Sequence, residues 1–510
     1  MYFARTRNKR SDYGNFKLQK CGSNDRRFSA TLIGVYTRKL SVTVRGGTAL
    51  VLFFVAGCAP DLGPKSEFTK PLELASTASL NAPRAEWPLD TWWKPYNDPQ
   101  LNQLIEEALH DSPDLKIAEA RIRAADAMGD IQNANLYPTV VGNGAVAESE
   151  GSRNVEGAAF RNFLPSGWHH SAQMQAAFQY ELDFFGKNRA SLSAALSEVE
   201  AARAGGAAAR LQISAAVASV YGGLMQLYAD QQTAQEAVRL HRETANLVRK
   251  RVKAGMDNEA SYSQAQAQLK AANVGTREIE RLITVTQHQL AALLGKGPDR
   301  GLTVAAVPQH LTDTGLPISL SADLIGRRPD IVAARRMAEA ASAHIDVANA
   351  NFYPNVDLTG AFGLQTLDIK YLVQASSEMG TFGPAITLPI FDYGRNTGIY
   401  KAARAGYDAA VAEYNKTLTN ALREVADAYA TRRAIEDELV GSKDSLADSE
   451  NAYRILKVRY EAGFARYLDL LTAETLLLQQ KRAVADLGAQ AFIADVALVR
   501  SLGGGYVDKH

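Results

Sequence analysis

Two cysteines, Cys21 and Cys58, in 510 residues exclude a disulfide framework. No run approaches the roughly 20 apolar residues of a membrane-spanning helix, so a polytopic helical membrane protein is excluded. Charge of one sign is also missing: 56 Lys and Arg face 55 Asp and Glu, a net +1. Residues 1–57 carry 11 of those basic residues and only 2 acidic ones, and the rest of the chain is left at −8. Such a chain is a poor binder of phosphate backbones, and no nucleic-acid partner is expected. The chain has no Gly-x-x-x-x-Gly-Lys-Ser/Thr loop, no His-Glu-x-x-His helix and no Gly-x-Ser-x-Gly turn, so no ATP-driven, zinc or acyl-transfer enzyme is indicated. His169 and His170 adjoin, but other candidate metal ligands do not cluster with them. Neither a metal nor a cofactor is expected. Proline is absent from 166–297 and after Pro389, which leaves room for very long helices.

The front end reads as a leader. Arg45 precedes the apolar run Thr48–Val55 and the small residues Ala56-Gly57 before Cys58, the layout of a secretory signal. Val55-Ala56-Gly57-Cys58 resembles a bacterial lipobox, in which the Cys becomes the acylated first residue, so covalent lipid on Cys58 is expected. A buried Cys after a buried strand is the plainer alternative. Residues 1–40 are long and polar for a leader, and Val42 or Leu40 is an alternative start. Pro60, Pro64, Pro71, Pro83 and Pro88 mark 58–98 as an extended tether.

Internal duplication is the strongest signal. Ser112-Pro-Asp114 and Ala134-Asn-Leu-Tyr-Pro138 recur as Arg328-Pro-Asp330 and Ala350-Asn-Phe-Tyr-Pro354, offset by 216. Arg251-Val-Lys-Ala-Gly255 and Leu294-Gly295 recur as Arg459-Tyr-Glu-Ala-Gly463 and Leu502-Gly503, offset by 208. The lost eight residues place an insertion in the first copy between Pro138 and Gly186, within the Gly/Ser/Asn-rich Glu148–Trp168. The repeats are 99–298 and 317–510, joined by a linker at 299–316. Each reads as a helical stretch (99–135, 317–351), two strands, a very long helix (187–253, 395–461), a Gly-marked turn and a return helix (257–294, 465–502).

The strands alternate with period two. Met174, Ala176, Phe178, Tyr180, Leu182 and Phe184 oppose Gln173, Gln175, Gln179, Glu181 and Asp183. Val356 to Leu364 and Phe382 to Ile390 repeat the pattern, and Val140 to Val146 does so more weakly. Aromatics such as Tyr137, Phe185, Tyr353, Phe391 and Tyr393 gather near the ends, which fits a transmembrane barrel. Alternation alone fits a soluble sheet equally. Val217, Val220, Leu224 and Leu227 have coiled-coil spacing. Asp257 and Asn258 can cap the first return helix, whereas Phe464-Ala-Arg466 offers no cap to the second. Four strands cannot close a barrel, for which about eight is the minimum, and an open sheet in lipid strands polar backbone. Chains must therefore pool strands, three giving twelve or two giving eight, with the helices continuing as a tube. The implied function is a conduit.

At this point the chain resembles the TolC/OprM-type outer membrane efflux proteins, in their NodT-type lipoprotein branch, over about residues 58–505. Trp92-Trp93-Lys-Pro-Tyr-Asn-Asp-Pro-Gln-Leu101, Arg327-Arg-Pro-Asp-Ile331 with Ala333-Ala-Arg335, and the two Tyr-Pro junctions carry the resemblance. It implies a mainly α protein with a transmembrane β-barrel. The homotrimer would close twelve strands in the outer membrane and send an α-helical tunnel into the periplasm. It implies the exit duct of a tripartite pump, with a periplasmic adaptor and an inner-membrane RND-type transporter. By the same resemblance Arg251 with Gly255 and Arg459 with Gly463 are adaptor-docking tips, and Asp469 lies in an acidic ring at the aperture. Thr472 stands where some members have a second ring Asp. A tight turn with a solvated Arg, and a solvated helix carboxylate, are the plainer readings of these positions. The rival functions are a duct for protein secretion, a lipid-anchored helical scaffold and a lipid-anchored periplasmic enzyme.

Overall fold

The computed structural model describes residues 59–70, 74–75, 79–80, 84–150, 167–305, 316–317 and 320–508. The expected leader at 1–57, Cys58, most of the expected insertion and most of the expected linker lie outside the described residues, and Cys21 lies there with the leader. The order is α1 (Pro99–Asp111), α2 (Pro113–Ala134), β1 (Thr139–Ser149), β2 (His169–Glu181), α3 (Lys187–Lys253) and α4 (Glu259–Leu293). It then repeats as α5 (Leu320–Arg327), α6 (Pro329–Ala350), β3 (Asn355–Thr366), β4 (Glu378–Thr387), α7 (Arg395–Glu461) and α8 (Tyr467–Ser501).

The first helical stretch of each repeat is broken in two, where the sequence suggested one helix. Pro113 and Pro329 have no N–H to give and crowd the preceding turn. Ser112 and Arg328 accordingly take extended ψ values of 128° and 119°. Asp98 starts α1 by accepting the amides of Gln100 and Leu101 at 2.9 and 3.1 Å.

The strands form one antiparallel sheet in the order β1-β2-β3-β4. Val140, Phe178, Gly360 and Phe382 share one cross-strand row, and Gly142, Ala176, Phe362 and Gly380 the next. Gln175 and Gln179 stand in rows on the other face. β2 ends at Glu181 instead of running to Phe184, because the Phe184 amide turns back to the Leu182 carbonyl at 2.8 Å. β4 ends at Thr387 instead of Ile390, just short of Pro389, which has no N–H for the ladder.

α3 and α7 are each 67 residues long, about 100 Å at 1.5 Å per residue. Each folds back at a left-handed glycine, Gly255 (φ 69°) and Gly463 (φ 85°), onto a 35-residue return helix. Among the described residues the three largest apolar clusters hold most of the hairpins together. The first joins Trp92, Trp93, Tyr96 and α1 to Val217, Leu224 and Phe492. The second joins Leu324 and Ile331 to Leu418, Val425 and Leu502. The third, near the turns, joins Leu240 and Val248 to Tyr460, Leu470 and Leu477. The predicted coiled-coil seam is real: Val217 and Leu224 are fully buried, with Val220 and Leu227 against them.

Two of the resemblance motifs tie the helices together. The Tyr96 hydroxyl donates to Asp495 at 2.6 Å, which ties the Trp-Trp segment to α8. Arg328 is buried and bonds Asp330 at 2.6 Å, Glu424 of α7 at 2.9 Å and the Ser501 carbonyl at 3.1 Å. It thus clamps the start of α6, the middle of α7 and the end of α8. Gly503 permits this junction: its φ is 92°, and a Cβ there would lie 2.0 Å from the Arg327 carbonyl oxygen.

Candidate functional site

The chain presents two working ends. At one end is the sheet. Val140, Phe362 and Phe382 on its apolar face are 66, 70 and 72% exposed. Among the described residues no helix packs across that face. A soluble sheet would cover it. Among the described residues the two outer strands, β1 and β4, have open edges as well. Where the helices leave the sheet, Phe184, Phe391 and Tyr393 are exposed, and Phe185 stacks on Tyr353 with ring centroids 4.7 Å apart. Such rings suit the boundary between lipid and water.

At the other end, the two hairpin turns lie side by side: a Cβ on Gly463 would sit 3.9 Å from Arg251 Nη1. The two predicted tip arginines have different surroundings. Arg251 is buried, and its Nη1 donates to the Tyr460 carbonyl at 2.8 Å. Its guanidinium lies 4.6 Å from the Tyr460 ring centroid, and its Nε lies 4.0 Å from Asp257. The Tyr460 hydroxyl donates to Asp257 Oδ2 at 2.8 Å. Arg251 is therefore occupied within its own chain. Arg459 is exposed. Divergence between the two copies explains the asymmetry. Counting from the tip glycines, the counterpart of Tyr460 is Val252 and that of Asp257 is Ala465, so the lock exists in one setting only.

Burial pushes the Asp257 carboxyl up. The Asn258 amide, the Tyr460 and Ser261 hydroxyls and the Arg251 charge outweigh that and hold it below the usual carboxylate range. Burial, with Asp257 second, raises the Tyr460 hydroxyl above the usual tyrosine range. Asp257 does not itself cap α4: Asn258 does, accepting the Ser261 amide at 2.9 Å.

Asp469 answers the missing cap of α8. Its Oδ2 accepts the Arg466 amide at 3.0 Å, and its Oδ1 pairs with Arg466 Nη2 at 3.2 Å. The Arg466 amide is also the first cause of its lowered pKa. The carboxylate is partly exposed and charged.

Sequence reasoning missed the lock residue Tyr460 and the apolar knobs Met256 and Phe464, which are 60 and 78% exposed. Each knob directly follows its tip glycine, a position that the repeat alignment already marked. His170 pairs with Glu148 at 3.2 Å, and among the described residues no group of three His, Cys, Asp or Glu could hold a metal.

An uncovered apolar sheet with open edges, carried on two long helical hairpins, defines a class: the subunit of a channel whose β-part crosses a membrane. Within it, the chain belongs to the outer membrane efflux protein family, whose pattern matches residues 104–296 and 320–504, one segment in each repeat. It is 35% identical over 378 residues to the fusaric acid resistance protein FusA of Burkholderia cepacia, 72% of this chain and 71% of that one. It is 28% identical over 485 residues to the multidrug resistance outer membrane protein MdtP of Escherichia coli K12, 92% of this chain and 97% of that one. The crystal structure of the outer membrane protein VceC from Vibrio cholerae superposes with a TM-score of 0.77 at 39% identity, covering 82% of this chain and all of that one. The protein is thus an efflux channel of the outer membrane, its helical part on the periplasmic side.

Proposed function

We propose that three copies pool their sheets into a twelve-stranded barrel and form the exit duct of a tripartite pump, passive in itself. The observation that carries this reading is the four-stranded sheet with an uncovered apolar face and two open edges. In lipid each open edge leaves unpaired backbone groups costing several kcal/mol apiece, in the range of roughly 2–7 kcal/mol for an uncompensated amide. Copies of the same sheet remove those edges.

The tips would meet a periplasmic adaptor that links the duct to an inner-membrane RND-type transporter. Met256 and Phe464 are apolar knobs for the adaptor's own hairpin, Gly255 and Gly463 let its backbone approach, and Arg459 supplies the charge. Arg251 holds the turn. Arg459→Glu is expected to abolish rescue of an efflux-deficient strain at normal membrane levels of the channel. Full rescue by this variant would overturn the docking role.

Asp469 at the second tip would form an acidic ring around the axis, three like charges that attract cations and repel one another. Asp469→Ala also removes the cap of α8, so the pore is expected to become leakier to large antibiotics. An unchanged single-channel conductance counts against this role.

Cys58 would carry the lipid. Residues 64–69 run alongside α7 in its own direction. The Ser66 and Thr69 amides donate to Asp408 at 3.3 Å and Asn415 at 2.8 Å, Tyr407 donates to the Ser66 carbonyl at 3.2 Å, and Arg404 donates to the Pro64 carbonyl. Followed toward lower numbers, the strap leads to the start of α7 at the sheet, so acyl chains on Cys58 would enter the same membrane. The exported compounds would be those selected by the transporter and adaptor, and the relatives' names point to small toxic organic molecules.

A further inference from the structure

Some way up from the tips, α3, α4 and α8 leave a trough of 460 Å³ between them. That volume lies within the roughly 300–1,000 Å³ of small-molecule sites. Small residues create the space: Ala237 on α3 and Gly275 on α4 stand where larger side chains would fill it, and Leu282 supplies an apolar wall. At one end sits Asp230, only 5% exposed. Its Oδ1 is shut off from water and, among the described residues, accepts no hydrogen bond. Its ion-pair partner is Arg482, whose Nε lies 3.6 Å away, beyond good hydrogen-bond reach, on a side chain 63% exposed. The neighbouring Asp486 adds negative charge and is already bonded to Gln226 at 2.8 Å. A buried carboxylate that lacks a close donor is costly, and an ammonium group would supply that donor. Burial, with Asp486 second, raises its pKa, the sign expected of an under-compensated charge.

We propose that this trough binds a drug-sized organic amine, whose ammonium replaces the loosely held Arg482 guanidinium on Asp230 and whose apolar body lies over Ala237, Gly275 and Leu282. Every residue that lines the trough belongs to one chain. A ligand there would bridge three helices of the wall.

The test is fluorescence anisotropy on the purified full chain with dansylcadaverine, a primary amine, and with its N-acetylated form, which has the same body and no charge. The wild type is expected to bind the amine at least tenfold more tightly than the acetylated form, and Asp230→Asn to erase that difference. Gly275→Leu is the second variant. A Cβ at Gly275 meets nothing within 4 Å, so the fold tolerates the leucine while the trough is filled. It is expected to block the amine with no fall in the unfolding midpoint. Equal binding of the two probes by the wild type, no binding of the amine, or amine binding unaffected by Gly275→Leu would each overturn the proposal.

Discussion

Phe362→Arg is expected to abolish insertion of the channel, while Gln175→Arg, on the opposite face of the same sheet, is expected to leave it in place. Phe362 stands in the middle of β3, 70% exposed on the apolar face, in register with Ala176 and Gly380. An arginine facing lipid near the middle of a barrel costs about 2–4 kcal/mol. Three copies triple that to about 6–12 kcal/mol, comparable with the whole stability of a typical domain. Gln175 pairs with Gly363 across the polar face, which would line the water-filled interior. The check is heat-resistant oligomer in isolated outer membranes, by gel and by unfolding midpoint. Equal loss in the two variants would mean that neither face meets lipid.

Breaking the tip lock has the second large effect. Tyr460→Phe removes the 2.8 Å bond to Asp257, and Asp257→Ala removes both that bond and the carboxylate beside Arg251. A hydrogen bond to a charged group contributes about 1.5–3 kcal/mol. The lock joins the two hairpin turns, and we propose that it holds the tip closed; loss of about 2 kcal/mol then shifts the closed-to-open ratio by roughly thirtyfold, since 1.4 kcal/mol is tenfold. Planar-bilayer recordings should show a several-fold rise in conductance, larger for Asp257→Ala. The pH dependence follows from the lowered pKa of Asp257. A depressed carboxylate stabilises fully above its unfolded value and loses that contribution as pH falls through its folded value. The lock should therefore be intact at neutral pH and release only in acid below the ordinary aspartate range. A conductance that rises between pH 8 and 6 would contradict this assignment.

Much of this architecture is legible in the residues. The bounds of α3 and α7 follow from the missing prolines and from the left-handed glycines that flank them: Gly186 and Gly394 sit at the N-caps, outside the helical conformation, and Gly255 and Gly463 end the last turns. The strand rows follow from period-two alternation. The breaks at Pro113 and Pro329 were available too, but amphipathic periodicity runs on through a proline and hides them. The burial of Arg251 was not legible. It depends on Tyr460, a residue 209 positions away that the meeting of the α3 and α7 tip ends brings under the guanidinium. The capping role of Asp469 escaped for a local reason. The familiar box begins with Ser or Thr, whereas here Arg466 fills that place and only the returning carboxylate is present.

The most direct test of the pooled barrel is the molar mass of the channel extracted from isolated outer membranes, measured by light scattering with the detergent subtracted. Three mature chains per particle is the predicted result. A stable single chain would show that four strands never close, and the conduit would give way to a lipid-anchored scaffold.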